Sequence, residues 1–119
     1  MLRRYLIEMG HGIDQHGQDP TRAAQRAVKD AISRSYLTGL REIVGIESYD
    51  DVVVRVKVAV PYPEKVRADE VLAPIPFTNK SLEVVEGGMV VEGSIIPELG
   101  DTTPEILFAN AAVTVYVEG

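Results

Sequence analysis

Both histidines of the chain fall in one short stretch, Gly10-His11-Gly12-Ile13-Asp14-Gln15-His16-Gly17, with Asp14 between them and Asp19 just beyond. Imidazole beside carboxylate can form an acid–base pair or a divalent-metal site. It can also close a turn in which Asp14 and His16 satisfy backbone groups. The residues alone leave these three readings open. The spacing His-x-x-Asp-x-His matches no zinc signature, so no metal ligand is assigned and no cofactor is expected. Gly10, Gly12 and Gly17 supply backbone freedom and close approach, and are read as binding positions. The glycine interval is wrong for a dinucleotide fingerprint, and no Gly-Lys-Ser/Thr follows as a phosphate loop requires.

A second pair, Arg55 and Lys57, projects from one side of a strand. Two cations on one face can hold a carboxylate or an oxyanion, and a lysine in apolar surroundings can serve as a base. Pairing with Glu8 or Glu86 across strands is the plainer alternative. Glu86 precedes Gly87-Gly88 and is a third candidate, for binding. Asn110, polar within an apolar strand, calls for a partner.

These groups must be carried by few elements. Residues Arg3 to Met9 alternate as a first strand, with Tyr5, Ile7 and Met9 on one side and Arg4, Leu6 and Glu8 on the other. The glycine-rich stretch reads as a loop. Asp19-Pro20 then opens a helix, as N-cap and first-turn proline. The helix is expected to reach about Leu37, with Gly39 as its stop and Ala23, Ala24, Ala27, Val28, Ala31, Ile32 and Tyr36 on its apolar stripe. Asp50 to Val60 is a strand with a valine face and an Arg55–Lys57 face. A short helix is expected near Ala68 to Ala73, then a strand from Leu82 to Val91 interrupted at Gly87-Gly88, and a last strand from Leu107 to Val117.

The sum is one α+β domain over residues 1–119: a four-stranded mixed sheet with one long helix on one face, in the order β-α-β-α-β-β. One helix cannot cover both faces, so the Arg55–Lys57 face is expected to be buried by self-association into a trimer or higher oligomer. The 119 residues contain no cysteine and carry a formal net charge of -6. That acidity argues against a nucleic-acid partner, and no apolar run is long enough for a membrane span. A cytoplasmic protein is expected.

The stretch Gly10 to Gly17 resembles the Gly-x-Gly-x-Asp-x-His-Gly signature of a small family of uncharacterised conserved proteins of bacteria and plants. The resemblance extends through Gln18-Asp19-Pro20-Thr21, Val56 to Pro61 and Val85 to Met89. It implies no activity, and it leaves the His11 position open. The order of elements is similar to the trimeric chorismate-mutase type, which implies small-molecule sites between subunits. The strand Val54 to Pro61 resembles the lysine-bearing strand of ring-opening amidohydrolases acting on cyanuric acid and barbiturate, which implies a substrate-facing role for Lys57. The expectation is a small-molecule binding protein or enzyme. Asp14, His16 and Lys57 would be its catalytic groups, and Gly10, Gly12, Gly17, Arg55 and Glu86 its binding groups, for an anionic or carbonyl-containing ligand. The alternative is a non-catalytic oligomeric domain in which the loop is an assembly element.

Overall fold

The structure, a computed structural model, describes residues 1–118. Its elements are β1 (Leu2–Asp14), α1 (Pro20–Ser33), β2 (Val52–Val60), α2 (Ala68–Leu72), β3 (Asn79–Glu86), β4 (Met89–Glu92) and β5 (Glu105–Glu118). The sheet has five strands, not four, in the order β1-β5-β2-β3, with β4 also paired to β5. The extra strand arises at Gly87-Gly88. There the chain leaves the flank of β2, steps across its end and continues against β5. Gly88 has φ 63°, and a Cβ on it would lie 1.9 Å from the Phe108 carbonyl oxygen, so only glycine makes this crossing. The sidestep replaces the single interrupted strand expected from Leu82 to Val91.

Strand β5 lies between β1 and β2 and runs antiparallel to both, whereas β2 and β3 are parallel. The alternating valines of β2 and the Leu107-to-Val117 row of β5 are buried on one face under α1. That face is the core, with Ala23, Ala24, Ala27, Val28 and Ala31 of the helix pressed against it. The other face of the sheet carries Ile7, Met9, His11 and Ile13 from β1 and Arg55 and Lys57 from β2, all exposed.

Two element boundaries differ from expectation. Strand β1 continues through Gly10, Gly12 and Asp14, so half of the supposed loop is strand. Its glycines fall on the helix face, where a Cβ on Gly10 would lie 2.4 Å from the Ala31 nitrogen and one on Gly12 2.4 Å from the Ala23 oxygen. Paired with the alanine stripe of α1, they bring strand and helix backbones into contact. Helix α1 stops at Ser33 rather than Leu37. Leu37 and Leu40 instead fold back onto the core, and Tyr36 is exposed. Gly39 permits this return, since it sits directly over the Tyr5 hydroxyl. A single wide turn, Leu40–Val44, follows and is closed by Gly45 at φ 78°. Among the described residues, no helix is long and apolar enough to cross a membrane.

Candidate functional site

The histidine–aspartate motif forms a clasp at the start of α1. Asp14 is buried, and its Oδ2 accepts the Asp19 backbone N–H at 2.8 Å. Its Oδ1 lies 3.5 Å from the Arg26 guanidinium and 3.9 Å from that of Arg22. Asp19 in turn caps the helix by accepting the Thr21 N–H. Arg26 also donates to the Ile13 carbonyl, and Asp30 accepts the His11 N–H, so helix side chains cover the open edge of β1.

His16 turns the other way. Its Nδ1 is 2.9 Å from Oδ2 of Asp101, a buried carboxylate in the loop before β5. The same carboxylate accepts the N–H groups of Gly17 and Ile96 and the side-chain amide of Gln18. The His16 ring first, then Gln18 and the Ile96 and Gly17 N–H groups, hold the Asp101 carboxyl well below the usual carboxylate range. Gln18 completes the clasp: at φ 50°, its side-chain oxygen accepts the N–H groups of Thr102 and Thr103. Asp101 and Gln18 escape a reading of the sequence, because their partners are more than eighty positions away.

The remaining expected site residues lie apart from this clasp. Lys57 and Arg55 are on the exposed sheet face, whereas Asp14 is on the helix face. Lys57 stands in register between Ala112 and Glu83. Arg55 lies over the Tyr116 ring, 4.8 Å from its centre. Glu86 is exposed at the end of β3. Within one chain, Asp14, His16 and Lys57 therefore do not meet. Gly10 and Gly12 contact α1, and Gly17 makes the turn at φ 94°. His11 stacks on Phe108 with ring centres 5.5 Å apart, away from His16.

The other end of α1 is built differently. Beyond Ser33 the chain arches over the sheet and encloses a cavity of about 490 Å3. Val113, Val115 and Val54 form its floor, Ile32 to Leu37 one wall, and Pro74 to Phe77 the other. The far wall is held in place by its surroundings. The Lys80 ammonium donates to the carbonyls of Leu72 and Ile75, and Thr78 and Asn79 donate to Asp50. This sets Tyr49 edge-on to Phe77 at 5.2 Å.

Glu8 reaches into this apolar space from β1. It is only 9% exposed, and its carboxylate has no hydrogen-bond or ion-pair partner among the described residues. The alternation of β1 places Glu8 on the helix side. The early end of α1 is what leaves a cavity there.

The comparisons with known proteins bear on the whole chain. A family described as conserved hypothetical proteins, Lin0512_fam, matches residues 4–115. The chain belongs to that family. A crystal structure described as an FtsZ-like protein of unknown function, from Nostoc punctiforme, is similar to this Lin0512_fam chain. The identity is 53% and the TM-score 0.90, over 99% of this chain and 98% of that one. No curated protein matches. The Lin0512_fam assignment brings no activity with it, and neither comparison carries the likeness of β2 to the amidohydrolase strand.

Proposed function

We propose that this protein binds a small organic molecule in the cavity at the C-terminal end of α1, with Glu8 as the group that orients the ligand. The unpaired carboxylate carries this reading. Among the described residues no protein group engages its oxygens, and they open onto the cavity, where a ligand can meet them. The cavity volume falls within the usual range for small-molecule sites, and a few polar groups in an apolar shell are their usual make-up. The test is amide chemical-shift mapping with a set of small-molecule fragments. Shifts should cluster at Glu8, Ile32, Tyr36 and Phe77. Fragments that perturb only other regions, or none that perturb the cavity, would remove the reading.

A second reading keeps His16 as an acid–base group. Its Nδ1 is held by a buried carboxylate, the arrangement that orients an imidazole for proton transfer through its other nitrogen. Lys57 and Asp14 of one chain cannot both join it, so Lys57 would have to come from a second copy. Self-association through the exposed sheet face is part of this reading. Ile7 and Met9 support it, being 48% and 70% exposed side by side with Ile13 on that face. A second copy can bury all three, as in the chorismate-mutase type of assembly. Light scattering of the wild type and of Met9→Asp tests it. The variant should lose the oligomer, and a wild-type monomer at all concentrations would end this reading.

A further inference from the structure

We infer that the Glu8 cavity takes a small organic cation, with an ammonium or amidinium head against the carboxylate and an apolar or aromatic body on the valine floor. The inference rests on the cavity reading above and names its ligand class.

Four features of the cavity select positive charge. Glu8 is nine-tenths buried and unpaired, so a cationic head supplies the counter-charge that the protein leaves out. An amidinium can also meet both carboxylate oxygens through two parallel N–H groups. The last turn of α1 lines the cavity through Ile32 and contains no basic residue, and the C-cap Arg34 is engaged by Asp30, so the negative end of the helix dipole adds to the field at the site. Glu42 adds a second negative charge at the rim. Arg41, the one cation in the lining, lies 4.9 Å from the centre of the Tyr49 ring and so belongs to the wall. An anionic ligand would meet Glu8 across a low-dielectric gap, where like charges repel strongly.

The body of the ligand follows from the walls. Glu8 stands in register with Val113, so the floor valines lie beside it, and they and the Phe77 ring offer apolar area and one aromatic edge. A flat or branched hydrocarbon body suits them, and a polyhydroxylated one would strand its hydroxyls.

The test uses three probes of one shape, benzamidine, benzamide and benzoate, titrated into the wild type and Glu8→Gln. Binding is read from amide shifts at the cavity. Benzamidine should bind wild type about tenfold or more tightly than either other probe, and Glu8→Gln should lose that preference. Equal binding of benzamide or benzoate, or an unchanged affinity of Glu8→Gln for benzamidine, would overturn the cation class and leave the cavity standing. If the fragment set binds there and benzamidine does not, the class again falls alone. If neither binds, both readings fall. Should Glu8→Gln not fold, Ser35→Trp at the exposed rim narrows the cavity without altering Glu8. It should weaken benzamidine, and an unchanged affinity would place the ligand elsewhere.

Discussion

The two ends of α1 meet β1 through two carboxylates on the same strand face, and the two are treated in opposite ways. At the start of the helix, Asp14 is surrounded by a backbone N–H and two guanidinium groups. At its end, Glu8 faces apolar walls with no partner. A polar group that is fully satisfied holds a structure together, whereas one that opens onto a cavity without a protein partner is available to a ligand. The motif that attracts attention by its chemistry is the structural end. The end with nothing notable in its composition has the open chemistry.

The largest effect should come from the contact between the two ends. Gly12→Val places a branched side chain where even a Cβ meets helix backbone at 2.4 Å. Helix and strand must separate, at a cost of about 3 kcal/mol or more. Chemical denaturation should show this loss. A variant within about 0.5 kcal/mol of wild type would mean that α1 does not rest on β1 as described.

Next in size is the satisfied carboxylate. Asp14→Ala leaves the Asp19 N–H without its acceptor and removes the charge facing Arg22 and Arg26. The expected loss is about 2 kcal/mol, since a buried donor is stranded and a charge-assisted bond is gone. Glu8→Met provides the contrast. It replaces an unpaired carboxylate by a thioether of similar length among valines, so stability should hold or rise by about 1 kcal/mol. If both substitutions destabilise equally, Glu8 has a partner within the fold, and the distinction between the two ends disappears.

Much of the frame was legible in the residues. The valine alternation of β2, the Asp19-Pro20 helix start and the alanine stripe all have local causes, namely period and capping. The glycines of β1 were misread because a Gly-x-Gly spacing suits a turn as well as a strand face pressed by a helix. Only the alanines opposite decide between them, and these come from another element. The fifth strand was hidden for a similar reason: Gly87-Gly88 breaks a strand equally in a hairpin and in a sidestep. The clasp depends on Asp101 and Gln18, which meet across more than eighty positions. No local pattern records that meeting. Alternation groups Glu8 with Leu6 on one side of its strand, but that side is the helix face, so the pairing with Arg55 or Lys57 offered for it does not form. Its isolation followed from where α1 stops, which is decided by Leu37 and Leu40 returning to the core.

The smallest effect, and the finest test of the clasp, is in acid. The Asp101 carboxyl is held below its ordinary value of 3.8 by His16, Gln18 and two backbone N–H groups. A carboxyl depressed in the folded state binds its proton more readily when unfolded. Its stabilising contribution is therefore complete above the unfolded value and is lost as pH falls below about 4. Wild-type stability should decline on acidification from pH 6 to pH 3. Asp101→Asn should be less stable at pH 6 and decline less, because its amide does not titrate, so that the two curves approach each other at low pH. Asp30, depressed chiefly by Arg34, contributes in the same direction and keeps some slope in the variant. The comparison therefore lies in the difference between the slopes. Parallel curves for Asp101→Asn and wild type would show that Asp101 gains nothing from its four donors. The clasp would then be no better satisfied than the cavity.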